Sequence, residues 1–577
     1  MRTRLLALVA TLAASLLLAA CGDSDSGSES SGPLDVADGP AEIVPADAPI
    51  YFEAVLRPGG DQGEAIKDVV SKVTNGKVTD PGGEIIKAIE SEAKSGTGPE
   101  IDFEDDIASW LGDSAGVFAD KLSAEPEFAV AIESTDKGKA KDFVEKTSEP
   151  GDRKTDYKGT ELLIDGDTAV AVTDDYLLIG DVNATKAALD VRPEDNLASN
   201  ETFKKTAKAV SSSLAFGYIS ADGIEDAVKS ANDASPDPPA IDRLPEPQAT
   251  TVPGITRPQS TSPSGGPDLS DIPGLGDSAR GSSSGLNSDE GAETLLKLLG
   301  DSKLESIGIG ADVESDKVSL QFAGIGAETP TGDATGLIGD LPADSLLALG
   351  LGNIGEGGTK ALDQIEDLDT TGEFQKGLED FEREAGIDIE DDLLSWMGQG
   401  ALFVRGSGAS DVGGALVVET TDPAKTEDAI DDLKQVVRLA AGETNSSVRT
   451  SPITDPDVDE GFQVEAEGLD IPVQIAVKGD RFAIAIGNDA LEDALAPTSK
   501  LGDTDTYKQA AGLLENGAKP ILFVDIPGIV SVVDNVAGDS QEFTEIKPYL
   551  DAFGALVAGT RNADGSSVTQ IAVGIQD

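Results

Sequence analysis

An α+β fold of two homologous tandem domains, with mainly antiparallel sheets and packed helices, is predicted by three observations. An acidic tryptophan segment occurs twice, alternating strands come in hairpin pairs, and a closing hairpin ends each half. Ile101-Asp102-Phe103-Glu104-Asp105-Asp106-Ile107-Ala108-Ser109-Trp110-Leu111-Gly112 returns as Ile387-Asp388-Ile389-Glu390-Asp391-Asp392-Leu393-Leu394-Ser395-Trp396-Met397-Gly398, and the two copies hold both tryptophans of the chain. Ile132-Glu133-Ser134-Thr135-Asp136 returns as Val418-Glu419-Thr420-Thr421-Asp422 at the same offset. Val44-Pro45-Ala46-Asp47 is echoed by Leu341-Pro342-Ala343-Asp344, and Thr202-Phe203-Lys204 by Thr506-Tyr507-Lys508. A repeat this long is a whole domain and not a solenoid unit.

The acidic segment reads as a short helix. Asp102 and Asp388 can cap it, and the acidic first turn complements the positive end of the helix dipole. Ile107, Trp110 and Leu111 then share one face, as do Leu393, Trp396 and Met397, which predicts a core anchor. Phe128 to Ile132 alternates as a strand, and a helix from Gly138 to Thr147 follows. Thr168 to Gly180 is a strand pair broken at Asp174-Asp175, and Val473 to Gly487 is its counterpart, broken at Gly479-Asp480. Helices follow from near Asn183 and Asp489, whose side chains suit a cap.

Leu304 to Phe322 and Phe553 to Ile575 each read as two strands joined at a polar turn. Equating them places the last hairpin of the first domain after a stretch from about Ser235 to Glu290, dense in Pro, Ser, Thr and Gly, that has too few large apolar residues to order itself. The predicted layout is therefore a first domain over 41–328 carrying an insert at about 235–290, and a second over 335–577, with the junction near Thr329 to Gly339.

The chain opens with the basic segment Met1-Arg2-Thr3-Arg4 and an apolar run from Leu5 to Leu17, the pattern of a secretory signal. The run is shorter than the ~20 residues that a membrane span needs. Leu18-Ala19-Ala20-Cys21 closes it and resembles the lipobox of bacterial lipoproteins. The resemblance implies a signal peptide over 1–20, recognition of Leu18, Ala19 and Ala20 by the processing peptidase, and lipid attachment at Cys21. Cys21 is the one cysteine among 577 residues, so it has no disulfide partner. Two or more acyl chains make a stable anchor where one does not. A polar tether over 21–40 would give a flexible reach of about 25 Å.

Composition narrows the chemistry. With no histidine and no second cysteine, Ser-His-Asp and Cys-His catalysis are excluded, together with ordinary zinc, haem and iron-sulfur sites. A net charge of −64 repels nucleic acid and anionic headgroups and favours solubility outside the cell. The expectation is a non-enzymatic protein without cofactor, catalytic residue or metal. Its expected partners are the membrane, through Cys21, and an unidentified envelope protein or small ligand.

Four local motifs match chemical signatures that their contexts do not complete. Gly350-Leu351-Gly352-Asn353-Ile354-Gly355 fits a dinucleotide fingerprint on paper, but no acidic strand end follows about twenty residues on, since Phe374 to Glu384 reads as a helix. Gly112-Asp113-Ser114-Ala115-Gly116 matches a nucleophile elbow but lacks a histidine base, so it reads as a turn after the Trp helix. Ser91-Glu92-Ala93-Lys94 has no companion motif. Asp455, Asp457 and Asp459 have calcium-loop spacing, but the glycine, Gly461, comes one position late and Ala466 stands where a bidentate glutamate belongs.

The lipobox, the Pro-Ala-Asp strand openings at Pro45 and Pro342, and the paired Trp helices together resemble an exported actinobacterial family known as domain of unknown function 3352. That resemblance implies a lipid-anchored protein of the extracytoplasmic membrane face and supplies no catalytic residue. A carrier of lipid or another apolar ligand, and a structural envelope spacer, are the alternative expectations. For a carrier, the small residues of Thr168-Ala169-Val170-Ala171-Val172 and Gln474-Ile475-Ala476-Val477 either line a hollow or admit a packed helix.

Overall fold

The computed structural model describes residues 34, 36, 38–95, 101–122, 126–148, 152–210, 212–233, 303–326, 335–368, 372–408, 411–443, 448–466, 471–487, 489–538, 540–563 and 565–576. The leader, Cys21, most of the tether and the insert at about 235–290 lie outside the described residues.

In the first lobe the strands are β1 (Ile50–Val55), β2 (Leu111–Lys121), β3 (Glu127–Ser134), β4 (Arg153–Tyr157), β5 (Thr160–Asp165), β6 (Thr168–Val172), β7 (Tyr176–Asp181), β8 (Ala215–Ser220), β9 (Ser306–Glu314) and β10 (Lys317–Ile325). In the second they are β11 (Ser345–Asn353), β12 (Met397–Arg405), β13 (Gly413–Thr420), β14 (Val448–Pro452), β15 (Glu460–Ala466), β16 (Val473–Lys478), β17 (Arg481–Ile486), β18 (Lys519–Val524), β19 (Phe553–Ala563) and β20 (Ser566–Ile575). The first lobe runs β4-β5-β6-β7-β3-β2-β1-β8-β9-β10. The second repeats that order as β14-β15-β16-β17-β13-β12-β11-β18-β19-β20. Because β9 pairs with β8, the hairpin that follows the insert position belongs to the first lobe.

The two lobes join edge to edge. β10 pairs with β20, making one antiparallel sheet of twenty strands. Gln321 faces Gly310 across one hairpin and Gln570 faces Gly559 across the other, so the two glutamines are equivalent. They are also direct partners across β10·β20, and the pseudo-two-fold axis therefore passes between them. This is the geometry of an isologous dimer contact, made within one chain.

Around β7 and β13 each lobe buries both faces of its sheet. On β7, Leu178 enters a core with Tyr51, Phe118 and Phe203, while its neighbour Leu177 enters a second core with Trp110 and Phe143 on the other face. In the second lobe Val417 and Val418 divide in the same way. Phe203 meets Phe216 edge-on with centroids 5.6 Å apart, and Tyr507 meets Phe523 at 5.5 Å, so the Thr-aromatic-Lys echo marks equivalent core helices.

Both indoles lie inside, 2% and 0% exposed. Trp110 Nε1 donates to the Asp106 carbonyl and Trp396 Nε1 to the Asp392 carbonyl, at 2.6 and 2.9 Å. Asp102 and Asp388 accept from the amides of Asp105 and Asp391. Thr135 N and Thr421 N close each loop on the tryptophan carbonyl. The segment is a single π-helical turn in both lobes, wider than the ordinary helix anticipated.

Three expectations need correction. Asp489 makes no side-chain cap, and Asn183 lies inside its helix, Val182–Asp190, where its amide donates to Glu127. Pro45 and Pro342 do not open strands: each forms an isolated bridge, to Asn196 and Lys500, ahead of β1 and β11. The turn predicted at Gly112 to Gly116 is the first half of β2. Gly112 serves close packing there, since a Cβ would stand 2.7 Å from the Cβ of Glu133.

Trp396→Ala should destabilise the protein by about 3–5 kcal/mol, because it empties a filled core and leaves the Asp392 carbonyl without its donor. Chemical denaturation followed by far-UV circular dichroism measures it.

Candidate functional site

The seam reverses the usual distribution of side chains. On the face turned toward the cores of Tyr51 and Phe403, β10 buries Lys317, Ser319 and Gln321 while β20 buries Ser566 and Gln570. Lys317 Nζ stands 2.5 Å from Glu515 Oε1 and 2.9 Å from Glu314 Oε1. Glu515 N donates to Gln570 Oε1 at 2.8 Å, and Arg561 crosses the seam to donate to the Ala209 carbonyl at 2.7 Å. Carboxylate oxygens of Asp312, Glu314 and Glu515 lie within 4.8 Å of one another. The Lys317 ammonium pairs with two of the three, so this cluster is an ion-paired clasp.

On the opposite face, odd-numbered β9 residues and even-numbered β10 residues form an apolar floor. The register links Phe52, Gly217, Ile309 and Phe322 across β1, β8, β9 and β10. Its equivalent links Leu349, Leu522, Ala558 and Ile571 across β11, β18, β19 and β20, and Ile571 pairs with Leu320 of β10. Phe52, Leu320 and Phe322 are 43%, 41% and 38% exposed, whereas the polar side chains beneath the same strands are buried. Gly217 lets the Phe52 ring lie flat, since a Cβ there would meet its Cε1 at 2.7 Å. The helix Gly60–Val73 stands on this face, with Ile66 and Val70 against Val313 and Leu214.

A family model described as "Protein of unknown function (DUF3352)" matches residues 5–256 and 288–573. The chain belongs to that family. A comparison with curated proteins finds no match. Among solved structures, crystal forms III and IV of TP0453 are similar at 10% identity, with TM-scores of 0.21 and 0.23. They cover 51% and 50% of this chain, and 82% and 80% of theirs. Crystal form I matches at 8% identity and a TM-score of 0.16, over 79% of this chain and 96% of its own. Likeness at this level transfers no property.

For this family member, the sequence-derived candidates among the described residues fall away from the seam. Leu18, Ala19, Ala20 and Cys21 lie outside the described residues. Ser114 is buried in β2, where its amide and that of Asp113 donate to Glu133 Oε2. Ser91 is exposed on the helix Pro81–Ser95. Gly350 and Gly352 belong to β11, which runs into the helix Ile354–Leu368. Asp455 accepts from Asp457 N, Asp457 pairs with Lys478, and Asp459 accepts from Gly479 N, so these carboxylates tie turns. The small residues of β6 and β16 admit helices: Ala169 and Ala171 pack with Ala184 and Ala188, and Ala476 packs with Ala490 and Ala494.

A buried pair in the first lobe escaped sequence analysis. Tyr51 donates its hydroxyl proton to Glu53 Oε2 at 2.6 Å, with both side chains inside. Burial, reinforced by the Glu53 charge, pushes the Tyr51 hydroxyl well up. Phe118 and Phe403 are the cross-strand partners of Tyr51 and Ala348, so the second lobe carries Ala348 and Gly350 in place of this pair.

Burial pulls the Lys317 ammonium down, but its hydrogen bonds to Glu515 and Glu314 outweigh that and hold its pKa above the ordinary lysine value. A raised folded-state pKa stabilises fully below the unfolded value, about 10.4, and that contribution fades as pH rises through the folded value. Lys317→Met should cost about 1–2 kcal/mol at neutral pH, because it leaves the partly buried Glu515 carboxylate and the exposed Glu314 carboxylate without their shared cation. It should also remove part of the alkaline loss of stability, read as the difference in melting temperature between pH 8 and pH 11.

Proposed function

We propose that this chain is a non-enzymatic binding protein, anchored by lipid on Cys21 at the extracytoplasmic face of a bacterial membrane, whose ligand site is the apolar floor of the seam. The single observation that carries the reading is the inversion at β10·β20, where polar side chains are buried and apolar ones stand half-exposed. A buried polar group and an exposed large apolar patch are the two departures from ordinary burial that call for a cause. Among the described residues, helices pack on the alanine-lined strands of both lobes.

The anchor rests on Leu18-Ala19-Ala20-Cys21 and the apolar run before it. Among the described residues no helix is long and apolar enough to cross a membrane. Leu34 N donates to the Ser213 carbonyl, and its side chain packs against the core on the face of β8 opposite the floor.

Two measurements test the reading. Cys21→Ser should move the protein from the membrane fraction to the soluble fraction on cell fractionation, and full retention by membranes would remove the anchor. The soluble variant should enhance the fluorescence of an environment-sensitive apolar dye, and Phe322→Asp should abolish the enhancement while leaving the circular dichroism spectrum unchanged. Equal enhancement in both proteins would place the ligand elsewhere.

A further inference from the structure

We infer that the open sheet face of the first lobe binds one helix of a partner protein, apolar on one side and cationic on the other. This rests on the reading of the floor as the ligand site and names what occupies it. The duplicated fold holds both a covered and an open form of that face. In the second lobe the helix Ile526–Ala537, which follows β18, lies against β11 and β19. There Ala558 is buried, and Leu349, Leu522 and Ile571 are half-buried. In the first lobe the equivalent helix, Ala221–Asp233 after β8, brings two branched apolar residues, Ile224 and Val228, where Ile526–Ala537 brings six. Its first turn is held at the far end of β9, since Ala221 N donates to the Glu305 carbonyl. Phe52 and Phe322, the counterparts of Leu349 and Ile571, are therefore left exposed.

The space left open has the dimensions of a helix. Beside the row from Phe52 to Phe322 runs a second, in which Ala54, Ala215, Ala311 and Leu320 are partners. The helix Gly60–Val73 packs on Val313, one row further along β9. Rows are two residues apart, ~7 Å at ~3.4 Å per residue, so the alanine row lies about 7 Å from Val313 and the phenylalanine row about 14 Å. Neighbouring helices pack ~8–10 Å apart, so a helix docked alongside Gly60–Val73 would run between the two rows, over the alanines and against Phe322 and Leu320. Charge decides its outer side. Gly60–Val73 carries three carboxylates against two lysines, and Ala221–Asp233 four against one, so both bordering helices are net negative and complement lysine or arginine. An added peptide strand needs a sheet edge, and the edges here carry charge or proline: Arg153, Lys154 and Asp156 on β4, Arg449 and Pro452 on β14. A second copy of this chain brings another charge of −64, and like charges of that size oppose association.

The test uses the full-length Cys21→Ser chain and a fluorescent twelve-residue peptide, the length of Ile526–Ala537, with leucine on one helical face and lysine on the other. Fluorescence anisotropy at ~0.15 M salt should show saturable one-to-one binding, and circular dichroism a gain of helix in a peptide too short to be helical alone. A scrambled peptide of the same composition, and one with glutamate in place of lysine, should each bind about tenfold more weakly or worse. Leu320→Ser and Phe322→Ser should weaken binding to a similar degree, while Val536→Ser, at an exposed residue of the second lobe, should leave it unchanged. Thermal melts matching the parent confirm that the variants are folded. Equal binding of the scrambled peptide, or indifference to Leu320→Ser and Phe322→Ser, overturns the helix site. Peptide binding that appears only when residues 288–302 are deleted would give the face to this chain itself, and parent dimers that Phe322→Ser dissolves would give it to a second copy; either result overturns the partner helix. Dye enhancement without peptide binding would overturn this inference and spare the floor as an apolar site. Absence of both would sink the two together.

Discussion

The pairing of β10 with β20 is the contact on which the rest of the molecule depends. A strand at a sheet edge presents unpaired amides and carbonyls, and a fold must cover, charge or pair them. Each lobe ends at the equivalent edge, and the chain pairs the two edges with each other. Duplication is what allows a sheet of twenty strands, since strongly twisted open sheets rarely exceed about ten. The outer ends, β4 and β14, are guarded by charge and proline instead.

That pairing fixes the chemistry on both faces. Beneath the seam, the Lys317 clasp joins the first lobe to Glu515 of the second, and Arg561 returns the contact to Ala209. A one-residue slip would turn Gln321 and Gln570 outward and Phe322 inward, so the buried polar set locks the register. The floor on the other face follows from that alternation. Its exposed phenylalanine and leucine are the opposite faces of strands whose buried positions are taken by polar groups.

Much of this fold was legible in the sequence because duplication writes the same pattern twice. The Trp segments, the hairpin breaks at Asp174-Asp175 and Gly479-Asp480, and Phe203 with Tyr507 all occupy equivalent places. The closing hairpins were legible too, yet their mutual pairing was not, since no local signal says which edge meets which. The Lys317 clasp was invisible because Lys317 and Glu515 are far apart in sequence and come together only across the axis. Gly112 misled for a related reason: glycine signals a turn by default, and here it makes room for Glu133 inside a strand.

The most direct measurement of the seam is a cysteine pair placed across it in the Cys21→Ser chain, which then has no other thiol. Leu320 and Ile571 are cross-strand partners on the open face, with side chains at disulfide distance in an antiparallel pair. Leu320→Cys with Ile571→Cys should oxidise to an intramolecular disulfide without loss of folded structure, and Leu320→Cys with Val573→Cys should not. Ready oxidation of the second pair, or failure of the first in a folded protein, would contradict the continuous sheet and the floor it creates.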